Sequence, residues 1–600
     1  MRALSRLVPY YRPYRGRLAT GLLLVVASSG LAGVIPWLLR EAIDDMRAGV
    51  PPQRIQLIAG GMVLTALLAG AARYGMRELL NGVSRWIEYD LRNALFAHLE
   101  KLDASFFASM RTGDIMARLT NDLSAVRMAA GPAIMYLVNT IAGGTFAIAF
   151  MLRIDPWFTL VALLPVAVLP VIMAKGGAAI HKRFEAVQEH FSTMTTRAQE
   201  NIAGARIVRA YRQEEPEIAR WRVMNEEYLR RNMRLVRLWG LLNPGFGLLA
   251  GVGGVIVLGY GGRLVLRGEI TVGSLVAFGF YLAMLTWPLI ALGWVTNLFQ
   301  RGSASMARLN QILDARPRIT SSQAPPHLPP LSSGHSRRGR AIEFRNVGFH
   351  YPTAEGETPR WVLRDVTFTV PPGKTLGVVG ATGGGKSALM DLIPRMYDPQ
   401  EGEILIDGVP IRTIPLDVLR AEIGYVPQET FLFSDTIRAN LGYGTEEGSS
   451  VEWAAELAQL DRTIAEFPGR YETLLGERGI NLSGGQKQRA TLARALARRP
   501  TIVLLDDALS AVDSHTEAEI LHGLRDALAG RTAIIASHRI SAIRDASWII
   551  VLDEGRIVEE GRHEMLFSSG GRYWSLLNRQ RLEDAIEDEP DALAQDAVSQ

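Results

Sequence analysis

The amino-acid sequence predicts an α-helical six-span transmembrane domain fused to an α/β domain built around a phosphate-binding loop. Three observations lead to this prediction. Of the 600 residues 48% are hydrophobic, and the long charge-free runs lie before about residue 300. A segment rich in Pro and Ser follows at 315–340. Beyond it, strand and helix patterns alternate to about residue 580, with a glycine-rich loop between one strand and the next helix.

Six charge-free runs in the first half have the length of membrane spans. They cover 18–39, 55–72, 128–152, 156–174, 238–262 and 270–300. Each reaches or approaches the ~20 residues with which a helix crosses a bilayer. Backbone in lipid must satisfy its own hydrogen bonds, so we expect helices, and so many runs disfavour buried helices of a soluble core. None contains Asp, Glu, Lys, Arg or His, which disfavours a proton-coupled carrier.

Charge in the connecting loops predicts the orientation of these helices. Arginine is more frequent in the N-terminal segment and in the long stretches 73–127 and 175–237 than in the short connections between the other helix ends. The positive-inside bias therefore places the N-terminus, both long stretches and everything after residue 300 in the cytoplasm. The net charge is +4 and the cations are mostly Arg, which we interpret as genome composition and not as a nucleic-acid-binding patch. Because the chain has no cysteine, disulfides and Cys-based metal sites are excluded.

These patterns set the predicted domain boundaries. Residues 1–17 are basic and aromatic, without a cleavable signal peptide, and are predicted to form an N-terminal elbow. Residues 18–314 are the transmembrane domain, whose long cytoplasmic stretches continue the spans as helices. Residues 315–340 are a linker and 341–580 the α/β domain. The acidic stretch 581–600 is predicted to be disordered.

The strand–loop–helix pattern of "TLGVVGATGGGKSALMDLI" contains the P-loop motif of nucleoside triphosphate-binding proteins. Its glycines let backbone N–H groups surround phosphates, and the next helix adds the positive end of its dipole. Lys386 is expected to reach the β- and γ-phosphates, and the Ser387 hydroxyl to bind Mg2+. Ala388 occupies a position where a second hydroxyl-bearing residue is common, so one contact to the phosphates is expected to be missing. The predicted nucleotide contacts here are Gly380, Thr382, Gly383, Gly384, Gly385, Lys386, Ser387 and Ala388.

Three further segments have features of a nucleotide site. Tyr351, about thirty residues before the P-loop, could stack on adenine, although most tyrosines at strand ends simply pack. In "NLSGGQKQRATLARALARRP", Ser483 is a good helix N-cap, and the glycines after it allow close backbone approach. "IVLLDDALSAVD" predicts a buried strand that ends in Asp506 and Asp507, where a solvated strand exit is the ordinary interpretation.

Together these motifs resemble those of the ATP-binding cassette (ABC) transporters, over about residues 1–580. In chain order they are the aromatic Tyr351, the P-loop (Walker A), Gln428 of "YVPQET", the signature LSGGQ at 482–486, Asp506 of Walker B, Asp513 of "SAVD" and His538 of "ASHR". Six spans ahead of one such domain resemble a type IV exporter half-transporter. In that resemblance, 111–122 and 200–215 occupy the places of the two coupling helices.

The resemblance implies a dimer whose two ATPase domains enclose two ATP molecules. Each ATP would lie between the P-loop of one chain and the signature of the other, here Ser483, Gly484, Gly485 and Gln486. The resemblance also implies that Ser387, Gln428 and Asp506 hold Mg2+ and that Asp507, His538 and Gln428 are catalytic. The expected location is the cytoplasmic (inner) membrane of a bacterium, with both termini in the cytoplasm.

Asp507 departs from the family pattern, in which Glu normally follows the Walker B Asp and polarises the attacking water. Asp is shorter by one methylene, or ~1.5 Å, and a ~1 Å misplacement of a catalytic group can cost ~100-fold in rate. We therefore expect a slow site that still binds ATP. A shortened catalytic carboxylate together with an intact signature resembles one half of a heterodimeric multidrug-type exporter. The other half of such an exporter carries Glu after its Walker B Asp. A homodimer with two slow sites is the alternative.

The cargo is predicted only as a class. A membrane half without charges in its spans fits lipophilic or amphipathic compounds, such as drugs, lipids or apolar peptides. A cavity could use Phe278, Tyr281, Trp287, Asn243 or Asn297, although helix packing or lipid contact is the commoner role at each. Import by the same architecture, an ATP-gated channel and a regulatory membrane subunit remain alternatives.

Overall fold

The computed structural model describes residues 2–322, 339–353, 358–445 and 451–581. It divides into two compact units, Met1–Glu100 with Thr112–Ala315 and Lys101–Arg111 with Arg316–Gln600. Most of the predicted linker (323–338) and the acidic tail from 582 onwards lie outside the described residues, as do the side chains of Asn243 and Trp287.

The first unit consists of helices joined by short connections. Its helices are Val8–Tyr11 (α1), Arg15–Arg47 (α2), Pro52–Leu99 (α3), Thr112–Ala117 (α5), Leu123–Met128 (α6), Ile134–Ile154 (α7), Pro156–Ala203 (α8), Ala205–Ala210 (α9), Glu214–Ile256 (α10), Gly262–Leu266 (α11) and Val272–Asp314 (α12). The helix between α3 and α5 in the sequence, Ala104–Ser109 (α4), belongs to the second unit. π-helical turns at Arg118–Asp122, Ala129–Ala133 and Val257–Gly261 join α5 to α6, α6 to α7 and α10 to α11.

The expectation that the apolar runs are helical is confirmed. Among the described residues, three helical stretches are long and apolar enough to cross a membrane: Ala3–Arg47, Pro52–Leu99 and Thr112–Ile154. The described residues also contain three shorter apolar helices, Pro156–Pro165, Gly251–Leu266 and Val272–Leu285. Each of the six runs therefore coincides with one helical stretch.

Small residues and aromatic stacking hold the helices of this unit together. A Cβ on Gly131 would lie 2.4 Å from the Ser84 side chain, so α3 and the π turn at 129–133 approach at backbone distance. Tyr281 is fully buried, and its hydroxyl donates to the Gly33 carbonyl over 2.8 Å. Phe278 is equally buried and stacks on Phe158 at 3.8 Å between ring centroids. Two of the three candidate cavity aromatics, Phe278 and Tyr281, are therefore core residues in this conformation.

The described part of the second unit forms two sheets. Its strands are Ile342–Phe349 (β1), Leu363–Val370 (β2), Thr375–Gly380 (β3), Glu401–Ile406 (β4), Val409–Pro410 (β5), Ile423–Val426 (β6), Ile502–Asp506 (β7), Thr532–Ala536 (β8), Trp548–Asp553 (β9) and Arg556–Gly561 (β10). The antiparallel sheet has the order β2–β1–β4–β5, and the other has the order β10–β9–β3–β8–β7–β6. In the latter, β9, β3, β8, β7 and β6 are parallel and β10 is antiparallel to β9.

Helices cover these sheets and extend the unit. They are Lys386–Leu392 (α13), Leu416–Ala421 (α14), Ile437–Leu441 (α15), Val451–Leu457 (α16), Asp461–Glu466 (α17), Gly484–Ala497 (α18), Ser514–Leu528 (α19) and His563–Ser568 (α20), followed by a helix at 572–581. One buried core lies between the two sheets around α13, and a second lies among α15 to α19. The α/β character predicted for this half is confirmed.

The loop tip that joins α3 to α5 differs from the predicted coupling stretch. We expected the first coupling helix at 111–122, but residues 112–122 begin a helical stretch that continues to Ile154. The short separate helix is α4, Ala104–Ser109, and residues 101–111 belong to the second unit. Asp103 explains this start, because its side chain accepts hydrogen bonds from the N–H groups of Ser105 and Phe106 as an N-cap. The other short helix, α9, lies within the predicted 200–215.

Candidate nucleotide-binding site

Four parallel strands bring the predicted site residues to one edge of the sheet. In the order β3–β8–β7–β6, the strands end at Gly380, Ala536, Asp506 and Val426. The carboxyl ends of parallel strands lie on the same side of the sheet, where α/β proteins bind their ligands. The P-loop, Gln428, the two adjacent aspartates and His538 therefore come from neighbouring loops, although they are spread over more than 150 residues of sequence.

The P-loop glycines have conformations and contacts that side chains would not allow. Gly383 and Gly385 have φ values of +83° and +100°, in the left-handed region that L side chains rarely adopt. A Cβ on Gly380 would lie 2.2 Å from the Leu552 carbonyl oxygen. Ala388, in contrast, is 2% exposed, and its side chain packs in the core. The exposed Thr382 lies in the turn between these glycines.

Lys386 lies inside the P-loop. Its ammonium donates to the carbonyl oxygens of Gly380 at 2.9 Å and Ala381 at 3.2 Å, and the residue is 7% exposed. Burial lowers the pKa of Lys386, and the carboxylates of Asp507 and Asp506 oppose this shift. A phosphate group bound in the loop would lie next to this desolvated cation, where a charge-assisted hydrogen bond is strong.

Asp506 has one buried carboxylate oxygen, Oδ1, without a hydrogen-bond partner in the described part of the chain. Burial raises its pKa to about 6, with a further increase from Asp507 and Asp391 and an opposing hydrogen bond from the Ser387 hydroxyl. The Ser387 hydroxyl also lies 3.5 Å from Oε1 of Gln428. Carboxylate, hydroxyl and amide oxygens fit the preference of Mg2+ for oxygen ligands.

Asp507 is engaged with the neighbouring strand end. Its Oδ1 atom accepts a hydrogen bond from the backbone N–H of His538 at 3.1 Å and lies 2.8 Å from His538 Nδ1. Asp507 is 6% exposed, whereas the His538 side chain is 53% exposed. The backbone φ of Asp507 is +45°, and its N–H donates to Ala536 over 2.9 Å. The structure thus brings Asp507 and His538 into hydrogen-bonding contact, although they were predicted as separate parts of the site.

Tyr351 lies after β1 with part of its ring free. Its ring packs edge-on against Phe349 at 5.0 Å and Tyr397 at 5.3 Å between centroids. It remains 38% exposed, and burial of the rest raises its pKa to about 12. An aromatic ring that is held by two neighbouring rings and remains partly exposed is suited to stacking on a base.

The signature segment forms the start of α18. The Ser483 side chain accepts from the Gln486 N–H at 3.3 Å, and Gln486 Oε1 accepts from the Ser483 N–H at 2.9 Å, which is a capping box. A Cβ on Gly485 would lie 2.6 Å from the Ala511 carbonyl oxygen, whereas one on Gly484 would have only an ordinary contact of 3.6 Å. Ser483 and Gly484 are exposed, so the helix start is available to a second molecule.

Sequence reasoning missed Gln488. This side chain is 6% exposed and donates from Nε2 to Ser510 Oγ at 2.8 Å and to the Asp507 carbonyl oxygen at 3.3 Å. Its Oε1 accepts from the Ala511 N–H at 2.8 Å. Gln488 therefore ties the signature helix to the loop that follows Asp507. The available signal was an amide on the buried face of an amphipathic helix, which requires partners.

Comparison with known proteins covers both halves of the chain. Residues 18–289 match the family model of the ABC transporter transmembrane region, and residues 363–510 match that of the ABC transporter. The chain is 38% identical, over 97% of its length and 98% of the relative's, to the "Probable multidrug resistance ABC transporter ATP-binding/permease protein YheI" of Bacillus subtilis. It is 34% identical, over 98% and 96% of the two lengths, to an "ATP-dependent lipid A-core flippase" of Syntrophus aciditrophicus.

A solved structure shows the same architecture. The chain is similar to a bacterial Atm1-family ABC exporter with ATP bound, with a TM-score of 0.75 and 29% identity over 94% of this chain and 99% of that one. The predicted fold class and the predicted ATPase coupled to transport are therefore confirmed. The chain belongs to the ABC transporter family, as an exporter half-transporter with a helical transmembrane domain fused to a C-terminal ATPase domain.

Proposed function

We propose that this chain is one half of a dimeric exporter that uses ATP to move lipophilic or amphipathic compounds out across the cytoplasmic membrane. The charge-free spans support this cargo class, since a charged substrate would need charged partners in lipid. The names of the relatives, which include multidrug resistance proteins and lipid A-core flippases, point in the same direction. Arginine in the N-terminal segment and long loops supports cytoplasmic termini.

Mg-ATP is proposed to bind at the carboxyl edge of the parallel strands. Lys386 and the P-loop N–H groups would hold the phosphates, and Tyr351 would contact the base. The unpartnered Oδ1 of Asp506, with Ser387 and Gln428 beside it, supports a cation that bridges protein and phosphate oxygens. The described residues contain no group of three or more His, Asp or Glu side chains that could hold a metal by themselves, so phosphate oxygens would complete the coordination.

The observation that carries the proposal of unequal sites is the pairing of Asp507 with His538. Oδ1 of Asp507 already accepts a hydrogen bond from the His538 N–H and lies beside the ring nitrogen Nδ1. The Asp507 side chain is also shorter by one methylene than the Glu that the family normally has here. We propose that this carboxyl orients His538 and leaves the attacking water poorly placed, so the site turns over slowly. The signature, whose capping box is intact, would complete a faster site with a partner that carries Glu after its Walker B Asp.

Two substitutions in the co-expressed complex test this assignment, because ABC half-transporters are frequently encoded beside their partners. Asp507→Asn should keep at least about half of the ATPase rate, since the base it removes is already weak. Gly484→Asp should remove about 90% or more, because it places a carboxylate at the partner's ATP. Gly484 is the suitable signature position, since a side chain there meets no close contact within this chain, unlike Gly485. Loss of most activity in Asp507→Asn would contradict the slow-site assignment.

A homodimeric lipid or peptide flippase is the second candidate, and its support is the similarity to lipid A-core flippases. Asp507→Glu in the chain expressed alone distinguishes the two, because the longer carboxylate should raise ATP turnover only if the chain pairs with itself. ATP-dependent accumulation of a lipophilic dye in inside-out vesicles tests export in either case. Steady ion conductance in a bilayer with ATP, without dye accumulation, would favour a channel and overturn both.

A further inference from the structure

A cavity in the second unit lies away from the nucleotide site. Its volume is about 930 Å3, and it is bounded by the turn before β3, the segment before β9 and the start of α20. Strand β3 begins at Thr375 in this cavity and ends at Gly380 in the P-loop. Six residues of strand span roughly 15–20 Å, so the cavity and the P-loop are at opposite ends of one strand.

Cations outnumber anions by three to two in the lining of this cavity. The charged side chains that line it are Lys374, Arg544, Arg562, Asp545 and Glu564, together with His563. Asp545 is already bound to Arg525, whereas Lys374, Arg544 and Arg562 have no ion-pair partner within the described ranges 2–322, 339–353, 358–445 and 451–581. Burial and the charges of Arg544 and Arg581 lower the pKa of His563, and the carboxylates of Glu564 and Asp545 oppose this shift.

Two aromatic rings add apolar surface beside these charges. Trp548 and Phe567 line the cavity and are 38% and 40% exposed. The guanidinium of Arg581 lies over the Phe567 ring at 5.8 Å from its centroid. Arg581 is the last described residue, so the remaining chain starts at the rim of the cavity.

The remaining chain has the complementary composition. Residues 582–600 contain seven acidic side chains and no Lys, Arg or His. Larger apolar residues are interspersed among these acids at Leu582, Ile586, Leu593 and Val598. Carboxylates suit the three cations and aliphatic side chains suit the two exposed rings, so one segment could satisfy both parts of the lining.

We propose that the cavity is the docking site of the acidic tail, residues 582–600, of the same chain. The tail is attached at the rim, so its effective concentration at the cavity is in the millimolar range and little loop entropy opposes docking. A stretch of 19 residues reaches up to ~60 Å when extended, which exceeds the size of the cavity. The docked tail would cover the amino ends of β3 and β9 and stay clear of the P-loop.

Disulfide cross-linking in the full-length chain tests this placement, because the native sequence has no cysteine to interfere. The test pair is Thr369→Cys, an exposed residue of the lining, with Ala592→Cys in the tail. The control pair is Glu466→Cys, which is also exposed but does not line the cavity, with Ala592→Cys. Under mild oxidation the test pair should close within one chain at least about fivefold faster than the control. Equal rates, or a cross-link that joins two chains, would overturn docking in the same chain.

Charge reversal in the full-length chain provides the second test. Lys374→Glu with Arg562→Glu should release the tail, so a Glu-specific protease should cut within 582–600 at least about fivefold faster than in the unmodified protein. Arg462→Glu with Arg470→Glu is the matched control, because both cations are exposed and neither lines the cavity. This control should leave the cleavage rate unchanged. Equal cleavage in the unmodified protein and the cavity variant would overturn the proposal, and ATPase activity of both variants reports that the domain remains folded.

Discussion

Asp506 and Asp507 are adjacent in the chain, but their surroundings give them different chemistry. The side chain of Asp506 has one buried oxygen without a partner among the described residues, and burial raises its pKa to about 6. Asp507 has the His538 N–H and ring nitrogen beside its Oδ1. Environment assigns roles to paired carboxylates, so the first is suited to a cation and the second to positioning the histidine.

The unsatisfied state of Asp506 predicts a pH-dependent cost in stability. A folded-state pKa above the unfolded value of 3.8 means that the ionised carboxyl destabilises the metal-free fold, with no cost below about pH 4 and the full cost above about pH 6. Asp506→Asn should therefore raise the free energy of unfolding by on the order of 2 kcal/mol at pH 7.5 without Mg-ATP. With saturating Mg-ATP the order should reverse, because the variant loses the ligand's stabilisation.

Thermal unfolding midpoints in detergent, at pH 4.5 and 7.5 and with or without Mg-ATP, measure this reversal. Asp417→Asn is the control, since that exposed carboxyl lies in the first turn of α14 and in neither predicted site. The midpoints of Asp506→Asn and the unmodified protein should differ by an amount that depends on pH. A difference that is the same at both pH values would contradict the prediction that the ionised Asp506 carboxyl destabilises the fold.

At the scale of elements, Gln488 connects α18 to the loop after β7. The start of this helix is the signature, which serves the ATP of a second chain in the family's dimer, while the loop follows Asp507 of the chain's own site. Three hydrogen bonds from one buried amide connect them. We therefore expect a structural change at the signature to affect the position of the loop after Asp507, and the reverse, through this contiguous set of contacts.

Gln488→Leu keeps the volume and removes these bonds, leaving the Ala511 N–H and Ser510 hydroxyl without this partner. We expect a loss of roughly 1–3 kcal/mol in stability and at least about a tenfold fall in ATPase rate with little change in ATP affinity. Thr491→Val is the control, since Thr491 is equally buried in α18 but bonds only to Lys487 of its own helix. ATPase assays and fluorescent-nucleotide titrations measure the two quantities. Parallel losses in both variants would contradict a positioning role.

At the scale of the whole molecule, the sequence predicts what depends on local pattern and on motif order. The helical runs, the P-loop and the capped signature follow from residues near one another in the chain. Contacts made by folding were less predictable. The Asp507–His538 pair depends on β8 lying beside β7, and the bonds of Gln488 depend on where the loop after β7 runs.

The short helix at the loop tip also depends on contacts made by folding. The family resemblance placed a coupling helix at 111–122, whereas the separate short helix in the structure is Ala104–Ser109, which begins at the Asp103 cap. The partners of Asp103 include the backbone N–H groups of Arg318 and Ile319, more than 200 residues away. Local periodicity contains no information about a partner at that distance.

These same contacts of Asp103 make it a test of how the two units communicate. Residues 101–111 belong to the ATPase unit, yet both of their chain ends continue into α3 and α5 of the helical unit. Against the effect of burial, hydrogen bonds from Ser105 and from the backbone of Arg318 and Ile319 lower the pKa of Asp103. The carboxylate thus holds the loop tip and the start of the linker together within one unit.

Asp103→Ala should therefore uncouple transport from hydrolysis. Loss of the cap costs roughly 1 kcal/mol at α4 and frees the linker from the tip, while the nucleotide site keeps all its residues. We expect ATP-dependent dye uptake in inside-out vesicles to fall at least about fivefold relative to ATP hydrolysed in the same vesicles. Asp114→Ala is the control, because Asp114 is exposed in the first turn of α5 and should leave that ratio unchanged. If dye uptake and ATP hydrolysis fall in proportion, Asp103 supports only folding. If the ratio of uptake to hydrolysis falls, closure of the ATPase unit reaches the membrane helices through this loop tip.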